Sequence, residues 1–196
     1  MSKVSRRAAL KALGTTAALL PALSPDGLLA FTRLQSGNAA PTPKVLSAPD
    51  FHTLEVLVEA IIPTDERSPG AKDARVADYI DLLLSESDEE LVLQWMGGLA
   101  ALNQESALRF RRRFVELDAA QLDSVLAAIS KNELDPGTPL EQFFVMTKQA
   151  TIRGYYSSEI GIHRELRYKG NQFLQEFVGC ATEDGKDCPH CGQKSL

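Results

Sequence analysis

Apolar side chains recur at helical spacing along most of the chain between residues 50 and 154. In the first segment the inward positions are Leu54, Leu57, Val58, Ile61 and Ile62, three or four residues apart. The same spacing returns in the later segments, and no run alternates between apolar and polar positions as a half-buried strand would. The pattern predicts an all-α fold, a small irregular helical bundle.

Local start and stop signals divide this region into helical segments. We expect helices over residues 51–62, 72–85, 88–101, 105–117, 118–131 and 139–154. Asp50 is expected to cap the first, and Pro63 ends it because proline cannot continue a helix. The last segment opens with a capping box from Thr138 to Glu141 and is expected to stop at Gly154.

Two further features bear on packing. Gly97-Gly98 lies inside the third segment and predicts either a bend or a point of close approach. In the fourth segment, the periodicity places Leu108, Phe110, Phe114 and Leu117 inward. Its arginines, at positions 109 and 111–113, are then expected to form a solvated face, with an anion or an acidic partner as the alternative.

The composition changes at both ends of this helical region. Residues 41–49 contain three prolines and are interpreted as a linker between residues 1–40 and the bundle of residues 50–154. Beyond Gly154 the helical pattern decays, and residues 155–196 hold all three cysteines. We expect an extended, mostly irregular C-terminal segment that wraps the bundle or a partner.

Residues 1–40 have the layout of a secretory leader: a basic start, a weakly apolar stretch and a Pro/Ser/Gly-rich end. The run Ser5-Arg6-Arg7-Ala8-Ala9-Leu10-Lys11 resembles the twin-arginine export motif of bacteria, with Ala9 in place of the usual Phe. That resemblance implies export of a folded chain by the twin-arginine translocase, with Arg6 and Arg7 as the signal, into the periplasm. Gly37-Asn38-Ala39-Ala40 is a candidate cleavage site, and retention of the leader as an anchor is the alternative.

The composition and the motif content exclude several classes of function. The chain has 196 residues, 44% of them hydrophobic, and a net charge of −5, which is ordinary for a globular protein. No basic field covers the domain, so a nucleic acid is not expected as a partner. The sequence contains none of the common enzyme motifs: no phosphate loop, dinucleotide-binding fingerprint, nucleophile elbow or metalloprotease motif. We therefore expect no catalytic residues in this chain.

The cysteines carry the clearest chemical signal. Cys180 is followed by Cys188-Pro189-His190-Cys191 near the end of the chain. The pair could form a disulfide in an oxidising compartment, or hold a metal or an iron–sulfur cluster together with Cys180 or His190. A redox-active dithiol is the third interpretation. These alternatives stay open at the level of the sequence.

Three segments together resemble the gluconate 2-dehydrogenase subunit 3 family. The first runs from Leu54 to Ala71 and includes Ile61-Ile62-Pro63-Thr64-Asp65, and the second is Ala74-x-Val76-x-x-Tyr79-Ile80-Asp81. The third starts at Phe143-Phe144, continues through Thr151-x-x-Gly154-Tyr155-Tyr156-Ser157-Ser158-Glu159-x-Gly161 and ends at Gly170. The resemblance covers roughly residues 50–180 and leaves out the Cys-Pro-His-Cys tail.

The resemblance implies a small, exported, non-catalytic subunit of a membrane-bound sugar or sugar-acid dehydrogenase. Its large partner would be a flavoprotein of the glucose-methanol-choline type that carries the FAD, and a multihaem cytochrome c would commonly complete the complex. This chain would bind no cofactor alone, with a metal at the cysteine cluster as the alternative. It would help the flavin subunit mature and cross the membrane, and would stay at the inner membrane through the complex.

A docking surface is expected at Gly154, Tyr155, Tyr156, Ser157, Ser158, Glu159 and Gly161, where exposed aromatic side chains would supply rigid contact area. The alternative is that both tyrosines are buried against the bundle. The Ile62–Ala71 loop has the same two interpretations, partner contact or simple connection. A different class of function is also retained: a periplasmic electron-transfer protein with a metal or cluster at the cysteines.

Overall fold

The computed structural model describes residues 22–37, 42–168 and 170. Within that part of the chain every regular element is helical, so the predicted all-α class is confirmed. The six α-helices are α1 (Pro25–Ser36), α2 (Ala48–Ile61), α3 (Val76–Ser85), α4 (Glu89–Phe110), α5 (Ala119–Ile129) and α6 (Pro139–Tyr156). A short 3-10 helix (Phe114–Glu116) follows α4, and a π-helix (Ile160–Glu165) follows α6.

Helix α3 is the centre of the bundle. All nine residues from Val76 to Leu84 are buried, and α3 packs against α1, α2 and α6. A helix that is apolar all round belongs in the interior, but this one also carries two buried carboxylates, Asp78 and Asp81. Each must find partners, because an unpaired buried charge is costly.

Asp81 is satisfied by the chain that precedes α2. Its carboxylate accepts the backbone N–H groups of Lys44, Val45 and Leu46 at 2.5, 3.1 and 2.9 Å. Hydrogen bonds to an ionised acceptor are stronger than neutral ones. The middle of the predicted linker is therefore anchored on the central helix, and α2 enters the bundle in a defined position.

Asp78 pairs with Arg75, the residue that caps α3 in a left-handed conformation at φ 56°. The Arg75 guanidinium donates from Nε and Nη2 to both carboxylate oxygens of Asp78, at 3.2 and 3.0 Å. Its Nη1 also donates to the Leu34 carbonyl at 2.8 Å, near the C-terminal end of α1. One arginine thus joins the start of α3 to the end of α1.

Helix α1 is an element that the sequence pattern did not predict, since it lies in the part of the leader interpreted as Pro/Ser/Gly-rich. Ser24 caps it, and both the amide and the hydroxyl of Ser24 donate to Glu86 at the end of α3. Phe31 is only 1% exposed and meets the Tyr79 ring edge-on at 5.2 Å. Residues 23–36 are therefore part of the folded bundle.

Several predicted helix ends are wrong. The cap of α2 is Ser47 and not Asp50, because Pro49 fits the first turn of a helix and α2 begins two residues inside the predicted linker. The second predicted helix begins at Val76 and not at residue 72. Gly97-Gly98 does not interrupt α4, which continues to Phe110. The capping boxes at Asp118 and Thr138 are confirmed.

One side-chain prediction is also corrected. Leu108 is 73% exposed, because α4 continues in phase from its first turns and carries this position to the outer face. Phe114 and Leu117 are buried as predicted, in and just after the 3-10 helix. Gly98 is a point of close approach: a Cβ atom there would lie 2.0 Å from the Phe143 ring of α6.

Candidate functional site

The predicted docking residues form the end of α6 and the start of the π-helix. Gly154 does not stop α6, which runs on to Tyr156, and the π-helix follows. Residues 155–165 are thus mostly helical and not extended, because α6 ends two residues beyond Gly154 and the chain turns directly into the π-helix. Single-turn π segments are frequent at functional sites.

The structure divides the seven predicted docking residues into two groups. Gly154, Tyr155, Ser158 and Gly161 are buried. Tyr156, Ser157 and Glu159 are exposed, and Tyr156 keeps 41% of its surface in solvent. Only the second group can touch a partner, while the first group holds the segment in place.

The two buried glycines permit close packing. A Cβ atom on Gly154 would lie 2.8 Å from the Tyr79 ring of α3. A Cβ atom on Gly161 would lie 2.0 Å from the Tyr155 carbonyl oxygen, which is backbone and cannot move aside. Both positions therefore need glycine for space, and neither is available to a ligand.

Tyr155 connects α6 to the second predicted candidate, the Ile62–Ala71 loop. Its hydroxyl donates to the Pro69 carbonyl at 2.8 Å and lies 2.8 Å from Ser68 Oγ, which is left to donate. Burial raises the pKa of Tyr155 above its ordinary value, so the phenol is neutral and available as a donor. Two regions that the sequence suggested separately thus form one site.

The loop itself is rigidly built. The Asp65 carboxylate accepts the backbone N–H groups of Ser68 and Arg67 at 2.9 and 2.8 Å, and these bonds hold the pKa of Asp65 below its ordinary value. Glu59, on the last turn of α2, accepts the Thr64 and Lys72 amides at the two ends of the loop. The sequence analysis did not single out Glu59, because an acidic residue on a helix gives no sign of distant backbone partners.

Exposed apolar side chains occur on the last turns of α6 and just after the π-helix that follows it. Ile152 and Tyr156 lie one turn apart on the same face of α6 and are 42% and 41% exposed. Leu166 and Tyr168, just after the π-helix, are 57% and 48% exposed. We call these four residues the α6-end surface. Charged side chains lie nearby, since Asp65, Glu66 and Arg67 of the loop are exposed.

Helix α1 also reaches this region. The Gln35 side-chain carbonyl accepts the Glu159 amide at 3.0 Å, at the junction between α6 and the π-helix. A segment from the predicted leader therefore supports the predicted docking residues.

Other sequence candidates lie elsewhere or outside the described residues. Arg6 and Arg7, and Cys180, Cys188, His190 and Cys191, are all outside the part of the chain that the structure describes, so their roles stay predictions. Within that part, no three His, Cys, Asp or Glu side chains are grouped closely enough to hold a metal ion. None of the described helices is long and apolar enough to span a membrane.

The arginine cluster after α4 contributes mainly to the surface. Arg109 pairs with Glu105 one turn earlier, and Arg113 pairs with Glu116 in the 3-10 helix. Arg111 and Arg112 point into solvent at the end of α4. This arrangement agrees with the predicted solvated face.

A comparison with protein families identifies the family of this chain. The sequence model of the gluconate 2-dehydrogenase subunit 3 family matches residues 48–173, from the first turn of α2 to beyond the π-helix. The chain belongs to this family. No curated protein and no solved structure matches it.

Membership in the gluconate 2-dehydrogenase subunit 3 family makes the chain a subunit of an oxidoreductase complex. The match contains the Ile62–Ala71 loop, α3 with both buried carboxylates, and the α6-end surface. Helix α1 lies outside it, although α1 packs on α3 and contacts the α6 junction.

Proposed function

We propose that this protein is the non-catalytic small subunit of an FAD-dependent sugar or sugar-acid dehydrogenase of the glucose-methanol-choline type. In this proposal it assists maturation, export and docking of the large flavin subunit. The FAD belongs to that partner, and a multihaem cytochrome c subunit receives the electrons. The observation that carries the proposal is the α6-end surface on a rigid support, in a chain of the gluconate 2-dehydrogenase subunit 3 family.

The geometry of the surface favours binding to a protein. Exposed aromatic and aliphatic side chains supply contact area, and Tyr is among the residues that dominate binding energies at interfaces. The support is already ordered by Tyr155, Ser68 and the Pro69 carbonyl. A preordered surface loses little conformational entropy on association, so more of the contact energy appears as affinity.

The second part of the proposal, the role in export, is based on the leader. The twin-arginine route carries folded proteins, and we infer that Arg6 and Arg7 direct the chain, with the bound flavin subunit, to the periplasmic side of the inner membrane. Because residues 23–36 belong to the bundle, we further infer that any cleavage of the leader falls before Leu23. Cleavage in the segment Gly37–Ala40 would separate α1 from the domain.

Co-expression with the flavin subunit from the same host tests the docking role. The tagged chain should retain the flavin subunit and its FAD absorbance on an affinity column. The double variant Ile152→Glu/Tyr156→Glu should lose both. Leu134→Glu is the matched control, because Leu134 is fully exposed and outside the α6-end surface.

Equal retention by the double variant and the control would refute docking at the α6-end surface. Export is tested separately with Arg6→Lys/Arg7→Lys. This variant should leave the flavin subunit in the cytoplasm as an intact complex. Normal periplasmic activity would instead show that the flavin subunit is exported without this signal.

A further inference from the structure

The outward face of α4 carries no charge over most of its length. The face toward the core is formed by Trp95, Gly98, Leu99, Leu102 and Ser106. Half a turn away, opposite the core, are the exposed residues Leu93, Met96, Gly97, Ala100, Gln104, Ala107 and Leu108. We call these seven residues the α4 stripe. The outer face of a surface helix is normally charged or polar, so this composition is unusual for a face in water.

The stripe is exposed in the part of the chain that the structure describes. Leu93 and Leu108, near its two ends, are 60% and 73% exposed, and Met96 is 40% exposed. At its centre Gly97 has open space where a Cβ atom would be, and Ala100 is also small. The small residues at the centre let another helix approach closely there, and the larger apolar side chains toward the two ends can contact that helix on either side.

Charges of opposite sign flank the stripe. Asp88, Glu89 and Glu90 lie at its N-terminal end, and Arg111 and Arg112 lie just past its C-terminal end. Glu89, Glu90, Arg111 and Arg112 are all exposed, and none forms an ion pair with another described residue. They are therefore available to a partner.

We propose that the α4 stripe binds a second copy of this chain, with the two α4 helices antiparallel. In that arrangement Leu93 of each copy meets Leu108 of the other, and the two Ala100 residues lie near the twofold axis. Glu90 then faces Arg111 of the second copy, and Glu89 faces Arg112. A twofold interface requires one surface to be complementary to itself, and the α4 stripe meets that requirement in shape and charge.

The small size of the contact favours a weak association. One helix face of about 15 residues is about 22 Å long, which gives an interface at the small end of those that hold proteins together. The dimer is therefore reversible, with a dissociation constant in the micromolar range. This inference goes beyond the proposed function and does not depend on it, since the α4 stripe and the α6-end surface share no residue.

Sedimentation velocity of the purified full chain measures the association. From about 1 to about 100 μM the wild type should change from monomer to dimer. Ala100→Arg places a long charged side chain at the axis and should raise the dissociation constant at least about tenfold. Leu134→Arg is the matched control and should dimerise as the wild type does, because it removes exposed apolar surface outside the stripe.

A charge exchange tests the antiparallel geometry. Glu89→Arg/Glu90→Arg has two positive ends, and Arg111→Glu/Arg112→Glu has two negative ends. Each variant alone should be monomeric, and an equimolar mixture of the two should form a heterodimer. A wild type that stays monomeric over the whole range would overturn the proposal, and so would a mixture that remains monomeric.

Discussion

Two adjacent glycines on α4 should respond to the same substitution with opposite signs. Gly97 lies on the outer face, and a Cβ atom there would find nothing within 4 Å. Gly98 faces α6, and a Cβ atom there would lie 2.0 Å from Cδ2 and 2.3 Å from Cγ of Phe143. Gly97→Ala should therefore stabilise the protein, and Gly98→Ala should destabilise it.

The magnitudes follow from two competing effects. Replacing glycine by alanine inside a helix gains about 1 kcal/mol in helix propensity, and Gly97→Ala should show that gain alone. At Gly98 the same gain is opposed by overpacking, which costs about 1–3 kcal/mol and occasionally more. Phe143 cannot rotate away freely, because it is 3% exposed and meets the Trp95 ring edge-on at 5.6 Å.

A clash this close puts the overpacking cost at the upper end of that range, about 3 kcal/mol, so Gly98→Ala should lose about 2 kcal/mol net and the two variants should differ by about 3 kcal/mol. For a chain of this size, 1 kcal/mol corresponds to about 2–4 °C in Tm. Urea unfolding followed by the fluorescence of Trp95, at a concentration where the chain is monomeric, measures both values. A Gly98→Ala variant as stable as Gly97→Ala would refute the close approach of α4 and α6.

Four further predictions concern the same bundle. Tyr155→Phe should lower the free energy of unfolding by about 1–3 kcal/mol, because the Pro69 carbonyl loses a buried donor; denaturant unfolding measures it, and an unchanged value would contradict the contact. Asp81→Asn should lower the free energy of unfolding by about 2 kcal/mol or more, since one amide oxygen cannot accept three backbone N–H groups. Amide hydrogen exchange at residues 44–46 should accelerate, and unchanged protection would contradict the prediction. A chain starting at residue 41 should be much less stable than one starting at residue 22, because the truncation removes all of α1, including the buried Phe31. A Phe→Ala change in a core alone costs about 3–5 kcal/mol, and equal Tm values for the two chains would show that α1 is dispensable. The pKa of Glu141 is lowered first by the Asn132 amide and then by the Thr138 and Gly137 N–H groups. The carboxylate therefore contributes to folding stability above its ordinary pKa of 4.5, and this contribution is lost as the pH falls through the lower pKa of the folded state. Glu141→Gln should make the loss of stability in acid shallower, and a pH profile that superimposes on that of the wild type would argue against this role.

The sequence determined the class of the fold and most of its helices. Apolar spacing and local caps act within a few residues, so the starts at Asp118 and Thr138 agree with the structure. The family could also be recognised from the sequence, because its motifs are short and lie in order along the chain. The boundaries were less well specified: Ser47 and Asp50 are both good caps, and Ser47 caps α2 because Pro49 is accepted in the first turn of the helix.

The tertiary structure decided which residues share a site. Tyr155 and Ser68 are 87 residues apart, and no local pattern shows that the hydroxyl of one would hold the loop of the other. Helix α1 gained its place through Arg75 and Phe31, whose partners are on distant elements. Burial of a given tyrosine, and exposure of Leu108, depend on how the helices pack around α3. Short-range signals therefore specify helices, and only long-range packing specifies the faces they present to a partner.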